Sequence, residues 1–304
     1  MEQKSMTALI SAFSRAYHSR NNEVKIFNDS IAKQLLTDEE YGQISKSMSE
    51  GIGFFNPSFE GDQDEALRWI VDNQLSPSPL GRSAFAEKSL ERAVNIGARQ
   101  YLILGAGYDT FAYRQPSWAK TLEIFEIDHP ATASEKQERL KKINLPTTQN
   151  VHYIKADFTK EAWQEPLLKN IVFDRNKISF CTLLGVSYYL SKQTFQKLVS
   201  VVSDFLPKGS SVLFDYPDEN SYTEKAGDRA KKQVMLAGAA KENMLASYSY
   251  CEMEQLLAAN GFLIYEHLTP LEMTEQYFEI YNRANPALKM TAFDNVNYCL
   301  AVKK

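Results

Sequence analysis

From residue 100 onward, short apolar runs alternate with amphipathic stretches, and this rhythm restricts the chain more than any other feature. Gln100–Leu104 stops at Gly105, Leu122–Asp128 alternates and ends in an acid, and Val151–Ile154 leads into Lys155-Ala156-Asp157. Lys177–Leu183 and Ser211–Asp215 are two further strand candidates. Between them lie helix-like stretches at 131–143, 160–169 and 194–206. The last places Phe195, Leu198, Val199, Val202, Phe205 and Leu206 on one stripe. Strands alternating with helices imply βαβ units, a parallel sheet and right-handed crossovers. Phe262–Leu268 and Asn297–Val302 are late strands joined by a connection with its own helix, opened by Thr269-Pro270. The expected fold is therefore α/β and Rossmann-like. Its seven-stranded, mostly parallel sheet carries one antiparallel C-terminal strand.

The first eighty residues read differently. Met6, Leu9, Ile10, Phe13 and Tyr17 form one apolar helical stripe, and Thr37 with Glu40 has the capping-box pattern. Ser76-Pro77-Ser78-Pro79-Leu80-Gly81 reads as a breaker-rich hinge, with a helix after it. Ser221/Glu224 and Ser249/Glu252 are further capping boxes, and they bracket a long helical segment over 221–246. These signals divide the chain into a helical N-terminal cap (1–80) and a core (81–304), with a helical lid inserted at about 217–248. With 304 residues, there is enough chain for a self-sufficient core.

Composition excludes several function classes. Thirty-four Lys and Arg against 38 Asp and Glu give −4, which offers no general attraction to nucleic acid or anionic lipid. No apolar run approaches the roughly 20 residues of a membrane span. The first twenty residues lack a signal peptide's unbroken apolar stretch. Cys181, Cys251 and Cys299 form no disulfide framework or metal knuckle, so a reducing cytoplasm is the expected home. His18, His129, His152 and His267 stand at no metal-ligand spacing, and no metal is expected. Sixteen Tyr, 17 Phe and 3 Trp are enough to line an apolar ligand pocket as well as a core.

In an open α/β sheet, ligands sit outside the carboxyl ends of the strands. Gly105-Ala106-Gly107 follows the first strand, where glycines let backbone approach a ligand or simply make a tight turn. Thr110 stands where a dinucleotide fingerprint has its third glycine. Asp128 ends the second strand, where a carboxylate can accept from both ribose hydroxyls or serve as a helix-start acid. Asp157 and Phe158 close the third. The acid can accept from an adenine amino group or cap the 160–169 helix, and the ring can pack on a base. Together the three strand ends describe a nucleoside site.

The stretches Gln100–Thr110, Phe125–Pro130 and Ala156–Phe158 resemble motifs of class I S-adenosylmethionine-dependent methyltransferases. More narrowly, they resemble the leucine carboxyl methyltransferase-like branch, which includes phosphatase carboxyl methyltransferases and polyketide-type O-methyltransferases. The N-terminal Arg15-Ala16, Phe27-Asn28-Asp29 and Gly81-Arg82 extend the resemblance over most of the chain. It implies S-adenosyl-L-methionine as cofactor. Arg82 would pair with the methionine carboxylate and Gly105, Ala106 and Gly107 would pass beneath it. Asp128 would hold the ribose, and Asp157 and Phe158 the adenine. Two departures stand out: Leu184 where the branch commonly has Glu, and Phe111 where many members have Arg.

The resulting expectation is methyl transfer to a carboxylate or hydroxyl oxygen of a small molecule. Tyr17, His18, Tyr189 and Tyr216 are candidates to touch that molecule, and Tyr188 lies beside Tyr189. No residue is identified as a catalytic acid or base. Alternatives are methylation of a protein's C-terminal carboxylate, a nicotinamide-dependent oxidoreductase and a non-catalytic cofactor-binding protein. Leu184 is the best support for the last.

Overall fold

A computed structural model describes residues 5–146 and 148–304. The N-terminal helices are α1 (Met6–Asn21), α2 (Asp38–Glu50), α3 (Ile52–Phe55) and α4 (Gln63–Ile70), followed by α5 (Pro77–Asn95). The strands are β1 (Gln100–Leu104), β2 (Glu123–Asp128), β3 (Val151–Lys155), β4 (Ser179–Leu183), β5 (Ser211–Pro217), β6 (Phe262–Leu268) and β7 (Val296–Lys303). The remaining helices are α6 (Pro130–Lys142), α7 (Glu165–Leu168), α8 (Lys192–Phe205), α9 (Asp228–Ala239), α10 (Tyr250–Ala259), α11 (Pro270–Met273) and α12 (Glu279–Ala284).

The seven strands form one sheet in the order β3-β2-β1-β4-β5-β7-β6. The first five are mutually parallel, and β7 runs antiparallel to both β5 and β6. This is the expected α/β sheet with one antiparallel C-terminal strand. Its order reverses direction at β1, which leaves a crevice beyond the carboxyl ends of β1 and β4.

Alternation along each strand divides the core. Tyr101, Ile103 and Ile124 pack with Phe85 and Leu90 of α5 on one face. Leu102, Leu104, Phe125 and Ile127 pack with Phe195, Leu198 and Val202 of α8 on the other. A third cluster joins Phe13, Ile70 and Val71 of the N-terminal segment to Tyr108 and Leu140 of the sheet-bearing part.

Three local expectations are corrected. The hinge at 76–81 is instead the start of α5, with Pro77 at its first position. Proline is tolerated there because the first-turn N–H groups have no intrahelical partner. Ser221 and Glu224 start no helix. The Ser221 hydroxyl is held by Asp218 Oδ1 (3.2 Å) and the Asn295 carbonyl (3.0 Å), and the helix of this segment begins only at Asp228. It ends at Ala239, where Lys241 takes a positive φ of 61°. The 160–169 helix shrinks to Glu165–Leu168, with Ala162 at φ 57° breaking its start.

Candidate functional site

The strand registers align the ends of β1, β2 and β3. Leu104 pairs with Ile127 and Asp128 with Lys155, so Gly105, Asp128 and Asp157 emerge on one rim. Gly105 and Gly107 adopt φ of 73° and 47°, the left-handed region where a side chain is strained. A Cβ on Gly105 would also run into the Val186 side chain. Gly105 thus meets both a turn requirement and a close packing requirement, and Gly107 the turn requirement.

Asp128 accepts the Gly107 N–H at Oδ2 and the His129 N–H at Oδ1 (2.6 Å). Burial raises its pKa, and those two donors oppose the rise. Each carboxylate oxygen keeps a lone pair for a further donor. Asp157 Oδ1 accepts from the Thr159 backbone (3.0 Å) and hydroxyl (2.7 Å), capping a local turn rather than a helix at 160. Burial pushes Asp157 up, but the Thr159 bonds outweigh it and hold the carboxyl below its ordinary range. Phe158 stands edge-on to Trp163, with centroids 5.0 Å apart.

Arg82 lies in the second turn of α5. Its Nη1 is 3.4 Å from Asp215 Oδ2, and its Nη2 donates to Ser11 Oγ at 3.3 Å. Asp215, on β5, is wholly buried. It also accepts the Gly185 N–H at 2.6 Å and the Tyr188 hydroxyl at 2.9 Å. Sequence reasoning assigned Asp215 no role, although an acid at the end of an apolar strand run was visible. The β4–β5 register pairs Leu183 with Phe214, so residue 184 is adjacent to Asp215. An acid from the neighbouring strand therefore stands beside the position where the resemblance leads one to expect Glu.

The stretches Arg15-Ala16 and Phe27-Asn28-Asp29 meet each other. Arg15 Nε donates to Asp29 Oδ2 at 2.9 Å, and Arg15 Nη2 donates to the Tyr108 carbonyl at 2.7 Å. Thr110 donates to Asp29 Oδ1 at 2.6 Å. This buried cluster locks the N-terminal segment onto the loop after β1. Phe111 is buried against Tyr101.

A cavity of about 590 Å³ lies above this rim. Arg82, Gly105, Ala106, Gly107, Asp128, Asp157, Phe158 and Tyr189 all line it, with Tyr188 and Leu184. The structure leaves three substrate candidates elsewhere. Tyr17 packs against Phe13 within the N-terminal cluster. His18 is buried, with Nε2 accepting the Ile26 N–H at 3.0 Å. Tyr216 is buried, and its hydroxyl is 2.9 Å from His267 Nε2. None of the three lines the cavity; each is held by packing and hydrogen bonds elsewhere.

The far wall comes from α1 and from α9 with the loop after it. Glu242 accepts the Met6 N–H at 2.8 Å and the Thr7 hydroxyl, and so caps the start of α1. No local sequence signal could join residues this far apart in the chain. Among the described residues, no group of three His, Cys, Asp or Glu is placed to hold a metal ion, and no helix is long and apolar enough to cross a membrane.

Comparison with known proteins shows the family of the chain. The family model for leucine carboxyl methyltransferase matches residues 8–203. YktD of Bacillus subtilis strain 168, assigned by name to the S-adenosyl-L-methionine-dependent methyltransferases, is 42% identical over 307 residues, covering 99% of each chain. A Mycobacteroides abscessus protein with the same assignment is 25% identical, over 88% of this chain and 86% of its own. Two solved structures share the fold. A DUF574 family protein from Streptomyces avermitilis has a TM-score of 0.59 at 12% identity, over 97% of each chain. A Thermobifida fusca protein described as a methyltransferase has a TM-score of 0.55 at 14% identity, over 99% of this chain and 96% of its own. The nicotinamide alternative falls with these matches: the chain belongs to the leucine carboxyl methyltransferase family and is an S-adenosyl-L-methionine-dependent methyltransferase.

Proposed function

We propose that this enzyme methylates an oxygen, carboxylate or hydroxyl, of a small molecule. One observation supports this most: Arg82, the Gly105–Gly107 turn, Asp128 and Asp157, from four separate elements, surround one cavity of small-molecule size. The donor set suits the cofactor. A guanidinium suits a carboxylate. The two glycines at positive φ make the tight turn that puts backbone, with no side chain, on the cavity wall. Acids at two strand ends suit ribose hydroxyls and an adenine amino group.

The bound cofactor supplies an electrophilic methyl on a sulfonium. In this reading the chain's own residues supply grip and alignment. Arg82 takes the methionine carboxylate, with Asp215 fixing the guanidinium from behind. Gly105, Ala106 and Gly107 form the floor. Asp128 takes the ribose, and Asp157 and Phe158 the adenine. The segment 1–80 and the lid at 217–248 close over the cavity, exclude water and shape the acceptor end, so that catalysis rests mainly on proximity and orientation. A thermal-shift titration tests the assignment. S-adenosylhomocysteine should raise the melting temperature and NAD should not, because only a ligand of the native state stabilises it. The absence of a shift with S-adenosylhomocysteine would remove the assignment.

A further inference from the structure

The charges around the cavity are lopsided. Among the described residues its wall includes two arginines, Arg15 and Arg82, but no lysine, against five acids: Asp109, Asp128, Asp157, Glu242 and Asp294. Both arginines are already engaged. Arg15 spends its three nitrogens on Asp29, the Tyr108 carbonyl and Ser11 Oγ (2.8 Å). Arg82 faces Asp215 and, on the reading above, the cofactor's carboxylate. His129, on the rim beside Asp128, uses Nδ1 to accept the Ala131 N–H at 3.4 Å. Among the described lining residues no unengaged lysine or arginine is left for a second carboxylate, and a carboxylate taken from water without a partner is heavily penalised.

The rest of the wall is suited to an uncharged guest. Met48, Leu75, Val234, Met244 and Phe293 give it an apolar surface, and methionine sulfur packs well on aromatic rings. Tyr222 also lines the cavity, and its buried hydroxyl has no hydrogen-bond partner. Buried hydroxyls are seldom left unpaired, so this one is open to a polar atom of a ligand.

We infer that the acceptor is an uncharged, apolar molecule presenting a hydroxyl of phenol type, and that its binding includes a hydrogen bond to Tyr222. This narrows the proposed function and rests on it. In the transfer, the hydroxyl oxygen forms the new O–C bond as the C–S bond breaks. Sulfur keeps the electron pair, and the hydroxyl proton passes to one of the carboxylates lining the cavity and from there to solvent when the site opens.

The test is calorimetric. The full chain is first titrated with S-adenosylhomocysteine; failure at this step counts against the cofactor assignment rather than the acceptor class. The loaded protein is then titrated with 1-naphthol and, separately, with 1-naphthoate. The naphthol should bind at least tenfold more tightly. Naphthoate binding as tight or tighter overturns the inference, as does the binding of neither at millimolar concentration. Tyr222→Phe should weaken naphthol about fivefold while leaving S-adenosylhomocysteine affinity unchanged. An unchanged naphthol affinity overturns the role of Tyr222.

Discussion

Asp215 holds Arg82 from the neighbouring strand. Its Oδ2 faces Arg82 Nη1 at 3.4 Å and accepts the Tyr188 hydroxyl at 2.9 Å, while Oδ1 takes the Gly185 N–H. One buried carboxylate thereby fixes α5, β5 and the loop after β4 relative to one another. Asp215→Ala strands three donors, one of them charged. Loss of a buried partner of this kind costs about 3 kcal/mol. Urea unfolding should show a midpoint lowered accordingly, and an unaltered midpoint would contradict this account.

Arg82 itself should separate two parts of the cofactor. Arg82→Ala is expected to weaken S-adenosylhomocysteine at least tenfold and to change free adenosine, which has no carboxylate, by less than threefold. Gly185→Ala should give the same selective pattern, since its Cβ would collide with the Arg82 guanidinium and its φ is 68°. Calorimetry with both ligands decides the matter, and equal losses for the two would mean that Arg82 acts only on the fold.

Asp128→Ala removes the acid of the second strand end. On the proposed role, S-adenosylhomocysteine affinity should fall about a hundredfold, the loss of charge-assisted bonds worth roughly 2–3 kcal/mol. The melting temperature without ligand should stay within a few degrees, because the freed Gly107 and His129 N–H groups face a cavity that water can enter. Retained affinity would defeat the ribose assignment.

His18 makes stability depend on pH. Burial, with Lys25 and Arg68 adding to it, lowers its pKa from 6.5 to about 4. Between those values the unfolded chain binds more protons than the fold. This contribution is therefore complete above pH 6.5 and is lost as pH falls toward 4, with a slope of at most about 1.4 kcal/mol per pH unit. Burial of Asp72 raises its pKa to about 6, which acts in the opposite sense. The difference between wild type and His18→Gln isolates the histidine. Parallel curves for the two proteins would show that it does not contribute.

The sheet was legible because its signals are local. Gln100–Leu104 and Phe262–Leu268 match the strands residue for residue, since turn-forming glycines and flanking helix caps bound them. The rim of Gly105, Gly107, Asp128 and Asp157 was legible for a related reason: a parallel sheet delivers successive strand ends to the same edge. Ser221 misled because a capping box is only permissive. Its hydroxyl found Asp218 and Asn295 instead of the helix.

The sequence by itself determined the class of fold, the order of its strands along the chain and the residues at the carboxyl edge of the sheet. Each of these follows from periodicity and from backbone chemistry acting within a few residues. Tertiary structure alone decided which aromatic side chains reach the cavity, turning Tyr189 inward and burying His18 and Tyr216 elsewhere. It also decided that Asp215 partners Arg82 and that Glu242 caps α1. Those outcomes depend on packing between elements far apart in the chain, where side-chain direction is set by what fills the neighbouring space.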